Sequence, residues 1–220
     1  MPRGPRLDAP GVLQHVMARG IMRQVIFHDD VDRGDFVQRL ARLAEARSMS
    51  VYAWALLPNH FHVLVRTGQQ SLARSMRSLL TGYAGACNRR HQRSGHVFQN
   101  RYKSVVCEEE GYFLELVRYL HLNPVRAGIV ADVASLASYA YSGHGALVGT
   151  HAYGWQDTEA VLSQLGTTRG RARGEYVRFM EAGVNQGRRV ELQGGGLIRS
   201  AGGVASRTRV ATRPRDVCWR

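Results

Sequence analysis

Two apolar stretches separated by only two residues constrain the fold more than any other feature. Residues 51–57 (VYAWALL) and 60–66 (HFHVLVR) are each typical of a β-strand, and Pro58 and Asn59 form the whole connection between them. Parallel strands need a crossover of roughly a dozen residues or more, so a two-residue connection joins antiparallel neighbours. The hairpin therefore predicts an antiparallel sheet.

Helices and further strands alternate around this hairpin. Apolar side chains at helical spacing define the helices, with Ser71 as the predicted cap of the second and Asp30 or Asp32 as that of the first. In order, the predicted elements are strands at 12–18, 51–57, 60–66 and 102–107 and helices at about 30–48, 71–93 and 112–122. This arrangement predicts an α+β fold whose helices pack on one face of the antiparallel sheet.

The composition changes after residue 130. Residues 1–130 are expected to form the principal domain. Residues 131–187 begin with a glycine-rich stretch and contain WQDTEAVLSQLG and RGEYVRFMEAGV, so we expect a linker and a short helical C-terminal extension. Residues 188–220 are rich in glycine and arginine and have few apolar side chains, which predicts a disordered tail.

The charge of the chain favours a polyanionic partner. There are 30 Lys and Arg residues against 17 Asp and Glu residues, a formal net charge of +13. Almost all of the positive charge is arginine, whose planar guanidinium binds phosphates in a bidentate manner and stacks on bases, so nucleic acid is favoured. A general preference for arginine codons would produce the same composition, and composition alone leaves both explanations open.

The sequence favours a cytoplasmic protein with no membrane partner. No apolar run is long enough to cross a bilayer, and the N-terminal residues lack the apolar core of a signal peptide. The three cysteines, Cys87, Cys107 and Cys218, form no CxxC pair, so we expect ordinary thiols in a reducing compartment.

His60 and His62 are two residues apart in the second strand of the hairpin. Strand side chains alternate between faces, so both imidazoles are expected on one face while Phe61, Val63 and Val65 face the core. Two imidazoles on a rigid strand suit a divalent ion and leave most of its coordination shell open for a substrate oxygen. For this pattern alone, two half-exposed histidines on a polar face are the commoner explanation.

Tyr119 and Asn123 are four residues apart near the end of the third helix and are expected to share one of its faces. A tyrosine phenol can act as a nucleophile, and an asparagine carbonyl oxygen is a suitable ligand for Mg²⁺ or Mn²⁺. The alternatives are a core tyrosine and an asparagine that caps the helix. Other tyrosines and histidines, which are expected to pack rather than react, are Tyr83, Tyr102, Tyr112, His91 and His121.

The HFH triplet, together with GHVFQNRYKS and RYLHLNPVRAGIV, resembles the HUH single-tyrosine transposases of the insertion-sequence type, and in particular the REP-associated tyrosine transposases. The resemblance covers about residues 12–130. It implies a ferredoxin-like antiparallel sheet, His60 and His62 as metal ligands, Tyr119 as the nucleophile and Asn123 as a third ligand. It also implies a divalent cofactor, Mg²⁺ or Mn²⁺. Related chains often continue with helical sequence where this one has its tail, so a truncated or degenerate copy is one expectation.

The activity implied by the resemblance is metal-dependent nicking and joining of single-stranded DNA at hairpin-forming repeats, through a 5′-phosphotyrosine intermediate. The protein would act on single-stranded or hairpin DNA as a monomer or homodimer. A free tyrosine has a pKa of about 10, so the site must help to withdraw its proton. Three other functions stay open: a non-catalytic DNA-binding protein descended from a transposase, a phosphoesterase that uses water, and an RNA-binding protein.

Basic residues near the proposed site are the candidates for contacts with DNA. They are Arg89, Arg90, Arg93, Arg101, Lys103 and Arg126. If several bind phosphates, the logarithm of affinity falls with the logarithm of salt concentration at a slope of about −0.7 per contact. For any single arginine, a solvated position on a basic face is an equally good explanation.

Overall fold

An antiparallel sheet organises the fold. The structure, a computed structural model, describes residues 9–107 and 112–186 and the backbone of 197–198. Its strands are β1 (Leu13–Arg19), β2 (Met49–Leu57), β3 (His60–Thr67), β4 (Lys103–Cys107) and β5 (Leu197–Ile198). The order in the sheet is β2-β3-β1-β4-β5, with β5 parallel to β4 and every other pair antiparallel. The predicted α+β fold of ferredoxin-like type is confirmed.

The turn between β2 and β3 determines which side chains share a face. Leu57 pairs with His60, and Ala55 pairs with His62, across the two-residue connection. The main-chain oxygen of Pro58 accepts hydrogen bonds from the amides of two residues that precede the first helix, which ties the turn to that segment. Because strand side chains alternate, a slip of one residue would turn both histidines to the opposite face.

Helices α1 (Asp30–Glu45) and α2 (Leu72–Arg90) pack on one face of the sheet. Phe61, Val63 and Val65 belong to the core on this face, as expected for residues that alternate with the two histidines. The helices contribute apolar side chains to the same core, which are Phe36, Leu40, Leu72, Met76, Leu79, Tyr83 and Cys87.

Both long helices begin at a side-chain cap. Ser71 caps α2, as predicted, by accepting a hydrogen bond from a main-chain amide of the first turn. The prediction of Asp30 or Asp32 as the cap of α1 was wrong. Asp29 caps that helix, because its backbone is still extended and its carboxylate accepts hydrogen bonds from the amides of Val31 and Asp32.

The other face of the sheet is covered as well. Helix α3 (Phe113–His121) packs there against Ala53 and Leu64. The helices that follow are α4 (Asn123–Arg126), α5 (Val133–Leu136), α6 (His144–Val148), α7 (Glu159–Leu162) and α8 (Arg169–Ala182). The prediction that the helices pack on one face therefore holds for α1 and α2 only. The reason lies in β2, which is buried at eight of its nine positions: a strand with two buried faces needs a cover on each.

The side chain of Gln156 connects the C-terminal helical segment to the sheet through hydrogen bonds. Its side-chain oxygen accepts a hydrogen bond from Trp54 Nε1 at 3.0 Å, and its nitrogen donates to the main-chain oxygens of Tyr52 and Gly143, both at 3.1 Å. The stretch predicted as a linker contributes buried leucines to the core at 136 and 147. The division of the chain at residue 130 stays a prediction. The predicted tail at 188–220 lies outside the described residues except for β5.

The longest helix among the described residues, α2, has 19 residues and carries four arginines. Within the part of the chain that the structure describes, no helix is both long and apolar enough to span a membrane.

Candidate active site

A cavity of about 190 Å³ opens on the α3 side of the sheet. His60 and His62 line it from β3, Tyr119 lines it from α3, and Asn123 lines it from the start of α4. Segments that are far apart in the sequence thus bring imidazole, phenol and amide groups to one place. The four side chains proposed from the sequence for metal binding and nucleophilic attack therefore converge in the structure.

The ring of His60 is held by the turn that precedes it. Its Nδ1 atom lies 2.6 Å from Asn59 Oδ1, and Asn59 Nδ2 donates to the main-chain oxygen of Arg23 at 3.1 Å. Since the amide oxygen can only accept, Nδ1 of His60 carries a proton, and in the neutral imidazole Nε2 carries the lone pair. His60 is thus in the form in which Nε2 can bind a metal ion.

His62 is held by a histidine that the sequence analysis missed. His62 Nδ1 lies 2.8 Å from Nε2 of His15, which is fully buried on β1, and the two rings stack with centroids 5.1 Å apart. The available signal was a histidine inside an otherwise apolar strand, VLQHVMA. Its partner depends on the β1–β3 register, in which Met17 pairs with His62, and the sequence alone does not reveal that pairing.

Burial keeps His62 neutral. Only 7% of this residue is exposed. Burial, followed by the neighbouring His15, His60 and Arg19, lowers the pKa of His62 well below its usual range. A neutral imidazole offers the lone pair that a metal ion requires, so the environment of His62 is compatible with a ligand's role.

Tyr119 and Asn123 are joined through the end of the helix. Asn123 Nδ2 donates to the main-chain oxygens of Tyr119 at 3.0 Å and Leu120 at 3.2 Å, so the side chain of this first residue of α4 satisfies carbonyls at the end of α3, whose C-cap residue is Leu122. Those bonds use the amide nitrogen of Asn123, so its Oδ1 atom is the one that can bind a metal ion. Tyr119 is 6% exposed, and its ring lies edge-on to His62, with centroids 6.2 Å apart.

Arg126 supports Tyr119 from α4. Its Nη1 atom donates to the main-chain oxygen of Tyr119 at 3.4 Å, and its guanidinium carbon lies 5.3 Å from the centroid of the tyrosine ring. A cation over an aromatic face is attracted to it, so this contact helps to orient the ring.

The donor set of the cavity fits a divalent metal ion. Two imidazole nitrogens and an amide oxygen, from His60, His62 and Asn123, are groups that Mg²⁺ or Mn²⁺ accepts in proteins. Both histidines have a second partner, Asn59 for one and His15 for the other, and metal-ligating histidines are usually fixed in this way.

The six basic residues predicted to contact DNA separate into two groups. Arg101, Lys103 and Arg126 line the cavity, together with Gln99 and Asn100. The other three lie at or beyond the end of α2. Arg89 is exposed there, and Arg93 donates to Gln24 Oε1 at 3.3 Å.

Arg90 is engaged by two carboxylates. Its guanidinium nitrogens lie 2.5 Å from Asp29 Oδ2 and 2.6 Å from Asp32 Oδ1. Its position is therefore explained by contacts within the protein.

The competing tyrosines lie away from the cavity. Tyr83, on α2, is buried against Phe36 of α1, its hydroxyl donates to the main-chain oxygen of Ile26, and burial raises its pKa. Tyr102 is also buried, and Tyr112 lies at the start of α3. Among the described residues, Tyr119 is the tyrosine that lines the cavity.

Comparisons with known proteins give a family and a similar fold. A family described as "Transposase IS200 like" matches residues 10–123, a range that contains His15, His60, His62, Tyr119 and Asn123. A solved structure of a REP-associated tyrosine transposase bound to a REP hairpin is similar over 71% of this chain and 90% of that chain. The TM-score is 0.57 and the sequence identity is 17%, a likeness of fold. No curated protein shows a significant match to the chain.

Proposed function

The chain belongs to the family of IS200-like transposases, and from this premise we propose that it nicks and rejoins single-stranded DNA at hairpin-forming repeats through a covalent bond to Tyr119. The observation that carries the proposal is the convergence of His60, His62, Tyr119 and Asn123 on one cavity. The protein of similar fold is bound to a REP hairpin, and this supports hairpin DNA as the partner.

The proposed reaction exchanges one phosphodiester for another. The phenol oxygen of Tyr119 forms a bond to phosphorus, the bond from phosphorus to the 3′-oxygen breaks, and the phenol proton leaves as the 3′-hydroxyl gains one. The products are a 5′-phosphotyrosine bond and a DNA end with a 3′-hydroxyl. A 3′-hydroxyl from a second end reverses the step and joins two strands, so no nucleotide cofactor is needed.

His60, His62 and Asn123 would hold the divalent ion, Mg²⁺ or Mn²⁺. When bound, the ion supplies positive charge beside the scissile phosphate, where negative charge develops. Asn59 and His15 would keep the two imidazoles in place for this task, because each contacts the Nδ1 atom of one of them.

The basic side chains of the cavity would position the strand. Arg101 and Lys103 are exposed and line the opening, where they can bind phosphates on either side of the scissile bond. Arg126 would hold the ring of Tyr119 and favour its anion. Arg89 and Arg93 are candidates for contacts farther along the strand, and Arg90 has the weakest case because Asp29 and Asp32 pair with it.

The test is a covalent adduct between protein and DNA. End-labelled single-stranded hairpins from the genomic neighbourhood of the gene are incubated with the protein and Mg²⁺ or Mn²⁺, and the products are run on a denaturing gel. We expect a labelled band at the mass of protein plus DNA, which is absent with a chelator and in Tyr119→Phe. Tyr112→Phe is the matched control, because this tyrosine lies on the same helical segment outside the cavity lining and should leave the band intact.

The other functions left open by the sequence predict different products. Cleaved DNA without an adduct would contradict the proposal and favour a phosphoesterase that uses water. Tight hairpin binding without cleavage would favour a non-catalytic DNA-binding protein. Preference for RNA over DNA hairpins of the same sequence would favour an RNA-binding protein.

A further inference from the structure

A second group of metal-binding side chains lies on the opposite face of the sheet from the cavity. One ligand atom each from His28, Cys87 and His91 lies within 4.8 Å of the others. Cys87 belongs to the core between the sheet and helices α1 and α2, whereas Tyr119 belongs to the core on the other face. The two groups are therefore separate sites.

Two elements bring these side chains together. Cys87 and His91 are four residues apart at the end of α2, so they project from the same side of the helix. His28 lies two residues before α1, and its ring is 4.4 Å from that of His91, measured between centroids. His28 is exposed, whereas Cys87 is only 2% exposed, so the group is accessible from one side and closed on the other.

We propose that His28, Cys87 and His91 bind a thiophilic divalent ion, for which Zn²⁺ is the best match. One thiolate and two imidazoles are the donor types that zinc takes in tetrahedral sites, and the thiolate disfavours Mg²⁺. Three protein ligands leave the fourth position for water. The site is distinct in place and in chemistry from the one proposed to cut DNA.

Asp32 holds two of the three proposed ligand residues in place. Its carboxylate is 3% exposed and lies 2.9 and 3.0 Å from Nε2 of His91. It also accepts a hydrogen bond from the main-chain amide of His28 at 2.9 Å. A carboxylate behind a histidine is the usual second partner in metal sites, where it fixes the orientation of the ring. With Nε2 donating to Asp32, Nδ1 is the ligand atom of His91 in the proposed site.

The charges around the group are close to balanced. Arg90 is close, with Nη1 3.2 Å from Nε2 of His91, but it is paired with both Asp29 and Asp32. Arg93 is a second positive charge that acts on Cys87, so the two carboxylates and the two guanidiniums cancel before any thiolate forms. Burial raises the pKa of Cys87, so the thiol is protonated without metal and uptake of the ion must release a proton.

Cobalt is the probe that tests this ligand set, because a Co²⁺–thiolate bond produces a charge-transfer band in the near ultraviolet. The purified full chain, stripped with a chelator, is titrated with Co²⁺ and then with Zn²⁺. We expect the band to saturate at the intensity of one Co²⁺–thiolate bond per chain, to disappear in Cys87→Ser and to be displaced by Zn²⁺. It should remain in Cys107→Ser, in Cys218→Ser and in the His60→Ala/His62→Ala double variant, which separates this site from the cavity.

A second variant covers the case in which Cys87→Ser fails to fold. His28 is exposed, so His28→Ala should fold normally and raise the Kd for Zn²⁺ by more than about tenfold, since losing a ligand costs at least as much as losing its outer partner. The proposal is overturned if the full chain gives no charge-transfer band, if the band survives in a folded Cys87→Ser, or if His28→Ala binds Zn²⁺ as tightly as the unaltered chain. None of these outcomes depends on whether the protein cuts DNA.

Discussion

Two groups of tyrosine and histidine side chains flank α3, and they differ in access to solvent. Tyr119 lies beside His15 and His62, with ring centroids at 6.0 and 6.2 Å, and lines the cavity. Tyr176 lies between His121 and His144, with its hydroxyl 2.7 and 3.0 Å from their Nδ1 atoms. All three residues of this second group are at most 1% exposed.

The comparison teaches that access to the cavity, rather than residue type, separates the proposed nucleophile from a tyrosine that packs in the core. Burial raises the pKa of Tyr176 well above its usual value and lowers the pKa of His144 to about 4. The phenol of Tyr176 stays protonated and does not line the cavity, so we expect it to contribute to stability. Tyr119 and His121 are two residues apart on one helix, yet they belong to these different groups.

The largest expected effect separates the two tyrosines. Tyr119→Phe removes the proposed nucleophile and should abolish the DNA adduct with little change in the free energy of unfolding. Tyr176→Phe removes a hydroxyl that bonds to two buried imidazoles and should lower the free energy of unfolding by about 1–3 kcal/mol, because buried nitrogens lose their partner. Adduct formation and chemical denaturation are measured on both variants. Loss of the adduct in a folded Tyr176→Phe variant would contradict the claim that Tyr176 only packs in the core while Tyr119 reacts.

Acid should destabilise the protein through the buried histidines that contact Tyr176. An unfolded histidine takes up its proton near pH 6.5, whereas His144 in the folded state does so only at about pH 4. Between these values the unfolded state binds more protons, so the free energy of unfolding decreases as pH falls, by on the order of 3 kcal/mol for His144 alone. Denaturation curves at intervals from about pH 7 down to about pH 4 measure the slope. The slope should be shallower in His144→Asn, and an equal slope would show that this histidine is not the cause.

His15 is expected to affect the affinity for the metal ion, although it contacts the proposed ligand His62 and not the ion itself. His15→Leu removes the contact to His62 Nδ1 and should raise the metal concentration for half-maximal cutting by about 10- to 100-fold. Excess metal should restore much of the activity. Gln14→Leu is the matched control, because this equally buried residue of β1 precedes His15 and faces the opposite side of the sheet. Identical metal-activation curves for His15→Leu and the unaltered chain would show that His15 does not support metal binding.

The smallest effect concerns the basic side chains. Arg101→Gln and Lys103→Gln should each reduce the salt slope of binding to single-stranded DNA by about 0.7, the share of one phosphate contact. Arg90→Gln should leave the slope unchanged, because Asp29 and Asp32 already neutralise this guanidinium. Equal changes in all three variants would mean that the cavity is not where the strand binds.

Features that depend on local chemistry were predictable from the sequence. The two-residue turn determined the antiparallel hairpin, and alternation along β3 placed His60 and His62 on one face. Helical spacing placed Tyr119 and Asn123 together. Each of these inferences needs only the geometry of a single element.

Features that depend on contacts between distant segments were not predictable in this way. The contact of His15 with His62 requires the β1–β3 register, and the pairing of Arg90 with Asp32 joins residues from two helices. The second covering layer was missed for the same reason. The apolar character of β2 indicates that both faces are buried, but it does not identify which helices cover each one.

The most direct test of the central claim is to locate the DNA on the protein. After reaction with a hairpin and Mg²⁺ or Mn²⁺, the DNA is trimmed with nuclease and the protein is cut with trypsin, which releases residues 119–126 (YLHLNPVR) as one peptide. Mass spectrometry should find a nucleotide phosphate on this peptide, attached to Tyr119. A nucleotide on the peptide that contains Tyr112, or on any other tyrosine, would contradict the assignment of the nucleophile, and cleaved DNA with no modified peptide would contradict the covalent mechanism.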